Sequence, residues 1–405
     1  MAELLSVEAA RVKILKHAKP TQTEHVAIID AAGRVLAEPV CARLTQPPFA
    51  ASAMDGYAVR HEDVAEAPVR LIVIGEAPAG TPFTGAVSQS EAVRIFTGGV
   101  IPDGANHVVI QEDTERDGDH VTVQTPQPTA RNIRAAGIDF HKGEMLLSAG
   151  RILDGRAVTL AATGNNGLLP VHRRPTVAFL ATGDELVEPG GDLAPGHIVN
   201  SAVYGLSALA ESWGAKALYG GVAADETADI AAKIGAAAKA DVIVPIGGAS
   251  VGDYDLVKGA LGAEGLELVF EKIAVKPGKP TWFGTLNGSL VLGLPGNPAS
   301  ATACAELFLK PLIYALTGRD AAAAVRRVPA RLSTPLGANG PRENYLRASC
   351  RRAADGVLET AAFAKQDSSL TAPFAAADCL IRQAPHDAAK EAGSMTDVLL
   401  LTSNG

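Results

Sequence analysis

Residues 241–260 read DVIVPIGGASVGDYDLVKGA, residues 274–280 read AVKPGKP, and residues 290–301 read LVLGLPGNPASA. The first apolar run stops abruptly at Gly247-Gly248, with Ser250, Gly252, Asp253 and Asp255 just beyond. A second, residues 289–294, stops at Pro295-Gly296-Asn297-Pro298 and then takes on helical spacing. Strand, glycine-rich loop and helix in that order is how a parallel α/β sheet makes an anion site at the carboxyl ends of its strands. Lys272, Lys276 and Lys279 lie between the two loops, cations of the kind a phosphate or oxyanion needs.

Upstream, the same alternation begins at about Arg173. TVAFLATGDEL is an apolar strand halting at Thr182-Gly183-Asp184-Glu185; Asn200-Ser201 precede a helix to about Trp213; ALYGGVAAD is a second strand and residues 226–240 a second helix. Strands alternating with helices of this length predict a parallel sheet joined by right-handed crossovers. Burial on both faces accounts for strands that are apolar throughout. Glu185, Asp225, the loop from Gly247 and the loop from Pro295 all follow strands, so they are expected to crowd at one edge of the sheet.

The flanks read differently. Residues 4–18 predict an amphipathic helix capped by Ser6, followed by a strand, HVAIID, and a short helix in AAGRVLAEPV. Residues 45–58, TQPPFAASAMDGYA, are neither helix nor strand, and Asp55 read alone is a turn aspartate. Short alternating strands separated by Gly and Pro follow to about residue 137, the pattern of a small β domain. Within them Thr97-Gly98-Gly99 ends a strand with exposed amides and a hydroxyl, while NIRAAGID carries Arg134 and Asp139. A helix over residues 154–163 is expected to pack with the amino-terminal one, making the β domain an insertion. Residues 325–405 again show short strands, and the alanine run at 321–324 reads as a linker. The predicted domains are therefore 1–44 plus 140–172 (elongated, helical), 45–139 (inserted β), 173–320 (α/β) and 325–405 (β-barrel-like).

At 405 residues the chain is too long for one core. With 47% hydrophobic and 20% charged residues it is globular, and a net charge of -8 argues against a general nucleic-acid binder. No signal peptide or membrane span is expected, and four scattered cysteines favour a reducing cytoplasm over a disulfide framework or zinc site. There is no GxxxxGK[ST] P-loop, no GxGxxG after the first α/β strand, and no GxSxG beside the lone histidines. Carboxylates at the sheet edge (Asp184, Glu185, Asp225, Asp253, Asp255) beside phosphate-binding amides suit Mg²⁺, which takes one or two carboxylates and completes its shell with water and phosphate oxygens. Lysines, Mg²⁺ and amides together would stabilise charge developing on a cleaved phosphoanhydride. Ser250 reads as a hydroxyl donor, since nothing near it resembles a base.

Six motifs in order resemble the series of the molybdopterin molybdenumtransferases, the MoeA-type enzymes that include the gephyrin E domain. They are SAMDGYAV (52–59), RIFTGG (94–99), TGDEL (182–186), GGASVGDYD (247–255), KPGKP (276–280) and GLPGNPASA (293–301). The resemblance implies a molybdopterin-binding α/β domain and an enzyme that inserts molybdate into adenylylated molybdopterin and releases AMP. It further implies that Asp55 and Thr97 act catalytically across a cleft, with Glu185, Asp225 and Asp255 handling Mg²⁺ and the nucleotide. Lys276, Lys279, Ser300, Arg347 and Ser368 would hold molybdate or pterin phosphate, with Lys272 in the same groove. Gly247, Gly248 and Ser250 would line the cofactor loop, and Pro295 and Pro298 would shape theirs. Arg134 and Asp139 match the family, but Ala135 and Ala136 stand where relatives often carry basic residues. The family is homodimeric, so Asp55 is expected to serve the partner's site. Expected partners are the molybdopterin adenylyltransferase and molybdoenzyme-maturation proteins. Two other readings stand beside it: a non-catalytic gephyrin-like scaffold or paralogue, and the related adenylyltransferase, which would not need the β insertion or the carboxyl-terminal β domain.

Overall fold

The structure, a computed structural model, describes residues 4–247 and 256–401 and divides into two compact units. The larger comprises residues 1–24, 33–37 and 171–405; the smaller comprises residues 25–32 and 38–170.

The larger unit is built on a six-stranded sheet. In spatial order the strands are Lys216–Ala223, Thr176–Thr182, Val242–Ile246, Ser289–Gly293, Trp282–Leu286 and Glu267–Phe270. The first four run parallel, as the alternation predicts, but Trp282–Leu286 runs antiparallel to both its neighbours. The sheet is therefore mixed rather than wholly parallel. The cause is local: Leu286 pairs with Ser289 across a two-residue Asn287-Gly288 turn, the sequence that favours a tight hairpin. Successive residues of the central strands enter opposite cores. Val177, Phe179 and Val244 join Ala202–Ser212 and the 298–316 helix on one face. Ala178, Leu180 and Ile243 join Ile230, Ile234, Val257 and Leu261 on the other.

The amino-terminal helix Val7–His17 starts as expected, with the Ser6 hydroxyl accepting from the Ala9 amide. Its stripe of Val7, Ala10 and Ile14 is buried in the first of those two cores, so it belongs with the α/β sheet and not with the helix of residues 154–163. The helix over residues 298–316 opens with Pro298 in its first turn and passes through a π-helical turn, Ala305–Leu309. Pro311 lacks the amide that would bond the Leu307 carbonyl and its ring crowds that turn, which widens it. This helix is apolar and long enough to cross a membrane by composition, but 78% of it is buried inside the protein.

After a 3-10 turn, Ala323–Val325, where a linker was expected, the chain closes a five-stranded barrel. Its strands run Glu343–Arg352, Leu358–Ala362, Arg327–Leu332, Met395–Leu400 and Cys379–Gln383, the last pairing back onto the first. Val275–Lys276 adds in parallel to Glu343 and Asn344, which ties the KPGKP segment to the barrel.

The smaller unit carries a second six-stranded sheet, in the order His107–Ile110, Gly56–Val59, Glu91–Ile95, Val69–Ala77, His120–Val123 and Thr114–Asp117. Helix Gly155–Thr163 begins at Asp154, whose carboxylate accepts from the Ala157 amide, and ends at Gly164. The short helix expected within residues 31–40 does not form. Val40–Cys41 is instead drawn into antiparallel pairing with Met145–Leu147.

Candidate functional site

The parallel strands bring their carboxyl ends to one edge, and backbone hydrogen bonds there knit the loops together. The Gly183 amide donates to the Ala223 carbonyl at 3.2 Å, and the Gly247 amide donates to the Leu294 carbonyl at 3.2 Å. The Asp225 amide donates to Asp184 Oδ1 at 3.0 Å. Asp184, Glu185 and Asp225 are all exposed, so their carboxylates face water rather than the core. Asp229, absent from the sequence reading, accepts from the Ala224 amide at 2.8 Å and pairs with Lys233, fixing the loop that carries Asp225. Those donors hold the Asp229 carboxyl below its ordinary pKa.

The second loop and the lysines form the other part. Lys272 and Lys276 are exposed and Lys279 half-buried, and among the described residues none has a hydrogen-bonding or ion-pairing side-chain partner. Three cations held without counterions are an electrostatic invitation to an anion. The backbone holds them: the Ile273 amide donates to the Lys279 carbonyl, and Lys276 lies opposite Asn344 in the strand pairing. The turn between Lys276 and Lys279 sits tight on the 298–316 helix. A Cβ at Gly278, where φ is +111°, would stand 2.1 Å from Cys304 Sγ, so only glycine allows this approach.

Arg347 is buried, 3% exposed, on the barrel strand that pairs with Lys276's segment. Its Nε donates to Gln366 Oε1 and its Nη1 to the Asp367 carbonyl at 2.8 Å. Burial pushes its pKa below the ordinary arginine value, opposed by Asp367, although a guanidinium remains charged at any physiological pH. Arg347 therefore holds the 366–370 loop rather than standing free. Ser368 in that loop accepts from Asn297 Nδ2 at 2.8 Å, which joins it to the Pro295–Pro298 turn. Asn297 and Gln366, both missed in the sequence, are the linking groups. Ser300 is buried in the first turns of the helix, and its hydroxyl has no partner among the described residues.

In the smaller unit, Asp55 Oδ1 accepts from the Thr97 amide at 2.7 Å and the Thr97 hydroxyl at 2.8 Å. These bonds, with the Arg94 charge, hold the carboxyl below its ordinary pKa and keep it an anion. Gly56 makes the turn possible, since a Cβ there would stand 1.9 Å from the Val109 carbonyl oxygen. Arg94 packs over the Tyr57 and Phe96 rings and donates to the Gly56 carbonyl and Gln111 Oε1. It stands in RIFTGG, but nothing local in that motif marks these contacts. Strand Ala51–Ser52 hydrogen-bonds to both Gly98 and Gly99 and pairs with Ile133–Arg134, so Arg134 belongs to the same cluster. Asp139 is exposed, and its amide donates to the Gln46 carbonyl.

Gly248, Ser250, Asp253 and Asp255 lie outside the described residues. Among the described residues no three His, Cys, Asp or Glu side chains are grouped to hold a metal ion. Glu185 and Asp225 are exposed, without side-chain partners among the described residues and on one sheet edge, which fits a Mg²⁺ ion that takes few protein ligands and many water or phosphate oxygens.

Three family models match in series: the MoeA N-terminal region (domain I and II) over residues 5–164, a probable molybdopterin binding domain over 178–315, and the MoeA C-terminal region (domain IV) over 329–401. A molybdopterin molybdenumtransferase from Nostoc sp. is 37% identical over 83% of this chain and 79% of its own length. One from Haemophilus influenzae is 38% identical over 78% of each chain. Among solved structures, the molybdopterin biosynthesis MoeA protein from Pyrococcus horikoshii matches with a TM-score of 0.86 and 29% identity, covering 99% of this chain and 100% of that one.

Proposed function

The chain belongs to the molybdopterin molybdenumtransferase family, and from that premise we propose that it inserts molybdate into adenylylated molybdopterin and releases AMP. The observation that carries this reading is the set of unpaired lysines beside a buried arginine. Lys276 and Lys279 have no counterion among the described residues, and Arg347 orders the loop whose Ser368 meets Asn297. A tetrahedral oxyanion such as molybdate, the substrate, supplies the missing charge. A scaffold without chemistry has no physical reason to keep such cations bare.

Adenylylated molybdopterin brings a phosphoanhydride, and its cleavage puts negative charge on the departing nucleotide. Glu185 and Asp225 are the residues that would hold Mg²⁺, which when bound would neutralise that charge. Gly247 opens the nucleotide loop in this reading. Asp55, kept anionic by Thr97, is the second catalytic group: a fixed carboxylate able to orient a donor on the substrate or accept a proton. Arg134 on the neighbouring strand adds a positive charge for pterin phosphate.

The protein acts as a homodimer in this account, as the resemblance implies. Tyr204 and Tyr219 are exposed and both donate to Glu188, which joins them into one surface feature beside the edge strand Lys216–Ala223, and Ile198, Val199 and Leu218 are exposed as well. Apolar surface of this kind on an open sheet edge calls for a covering partner. A cytoplasmic location and transfer from the molybdopterin adenylyltransferase follow from the same function. The experiment is turnover of adenylylated molybdopterin with molybdate by the purified protein and by Asp55→Ala: cofactor formation by the parent supports the reading and its absence sinks it, while parent-level turnover by the variant removes Asp55 from the chemistry.

A further inference from the structure

Gln366 is half-buried, and its one amide group binds Arg347 on three sides. Its Oε1 accepts from the Arg347 amide at 3.0 Å and from Arg347 Nε at 3.2 Å. Its Nε2 donates to the Arg347 and Phe363 carbonyls, each at 2.8 Å. Backbone and guanidinium of one residue are thus clamped by a single neutral side chain. The guanidinium is fixed further by Nη1, which donates to the Asp367 carbonyl at 2.8 Å and the Leu370 carbonyl at 3.4 Å. Those carbonyls flank Ser368, the residue joined to Asn297.

Nε and Nη1 spend their N–H groups on these contacts, and a guanidinium has one further edge, Nη2. Nη2 has no hydrogen-bond partner among the described residues. Nor is it one of their fully buried unpartnered atoms, so this edge of an otherwise buried side chain reaches solvent. Among the described residues no carboxylate forms an ion pair with Arg347. Asp367, the acidic residue that acts on it, is exposed and accepts instead from the Ser369 amide at 2.9 Å and hydroxyl at 2.6 Å. Its pull offsets only part of the effect of burial, which leaves Arg347 below the ordinary arginine pKa.

We propose that Gln366 is a positioning residue for the oxyanion: it presents the Nη2 edge of Arg347 to molybdate and does so without neutralising the guanidinium. The residue type meets both demands. Glutamate would offer the same acceptors, but it would pair with Arg347 and set a carboxylate against two carbonyl oxygens. Asparagine is one methylene shorter, and the clamp loses its reach. An apolar side chain would leave a buried amide and Nε without an acceptor. This role rests on the reading that molybdate is a substrate.

The test is calorimetric titration of molybdate into the full chain, as parent, Gln366→Met and Gln366→Glu, with turnover measured on the same proteins. Gln366→Met should bind molybdate about tenfold more weakly, with KM for molybdate raised to match and kcat changed less. Gln366→Glu should weaken binding too, because its charge cancels that of Arg347. Added to Arg347→Lys, Gln366→Met should lower affinity little further, since the guanidinium it orients is gone; a merely structural clamp would lower it again in full. Circular dichroism checks the barrel in each variant, and Gln366→Glu carries the test if Gln366→Met does not fold. Parent-level affinity in the Gln366 variants, a full additional loss on Arg347→Lys, or no molybdate binding by the parent overturns the proposal. Cofactor formation by the parent with KM unchanged in the variants sinks this role alone. Molybdate binding by the parent without cofactor formation sinks the insertase reading instead.

Discussion

Thr97 donates twice to one oxygen of Asp55, from its amide at 2.7 Å and from its hydroxyl at 2.8 Å. Thr97, in the turn after strand Glu91–Ile95, and Asp55 are 42 residues apart in sequence, so this contact exists only in the folded sheet. Two donors to one oxygen leave the other free to meet a substrate. They also favour the charged form, which is why the carboxyl lies below its ordinary pKa.

Thr97→Val keeps the shape and the amide but removes the hydroxyl donor. A depressed carboxyl pKa means the ionised form persists as pH falls and is lost only on passing the folded pKa. With one donor gone, that pKa rises toward its ordinary value. The acid limb of the kcat/KM profile should accordingly move to higher pH in Thr97→Val, with neutral-pH turnover less affected. An acid limb that stays where it was would mean Asp55 does not titrate in the reaction.

Arg347→Lys retains charge but gives up the forked grip on Gln366 and the Asp367 carbonyl. A lysine can replace one of those bonds at most. Loosening the 366–370 loop should weaken molybdate binding by about 1.4 kcal/mol, roughly tenfold in KM, with kcat changed less. Asn297→Ala, which removes the bond to Ser368, should move KM in the same direction. Steady-state kinetics with molybdate varied distinguishes this from a fall in kcat alone.

Glu306 is 2% exposed in the π-helical turn and pairs with Lys310 at 3.0 Å, the lysine also lying over the Trp213 ring. Burial raises its pKa above the ordinary 4.5, and Lys310 only partly opposes the shift. A raised folded pKa means the stabilising contribution is complete below the unfolded value and is lost as pH rises through the folded one. Parent stability in urea should therefore carry a component that falls as pH climbs from about 4.5. Glu306→Gln should lack that component. Parallel curves for the two proteins would refute it.

Much of the α/β unit could be read in advance because its signals are local. Runs such as Thr176–Thr182 and Val242–Ile246 are apolar on both faces, and only a covered sheet accommodates that. The loops after them were recognisable from their glycines and carboxylates. The Asn287-Gly288 hairpin signal is equally local, but the expectation of a parallel sheet made no use of it. The amino-terminal helix misled because its stripe of Val7, Ala10 and Ile14 says that it packs, not against what. Arg347 was found by resemblance, yet its hold on the 366–370 loop depends on a contact across 20 residues. Arg94 could have been singled out, as a lone arginine near the end of an apolar strand and two residues before Phe96, but its role needs Gly56 and Gln111 brought beside it. Long-range partners of this kind have no periodicity to announce them.

The central claim is that Lys279 meets molybdate at the edge of the KPGKP turn. The most direct measurement is the rate of cofactor formation from adenylylated molybdopterin by purified parent and Lys279→Ala protein, across a range of molybdate concentrations. The account predicts that the variant loses turnover at low molybdate and recovers part of it only as molybdate is raised. Parent-level turnover by Lys279→Ala at every molybdate concentration would contradict it.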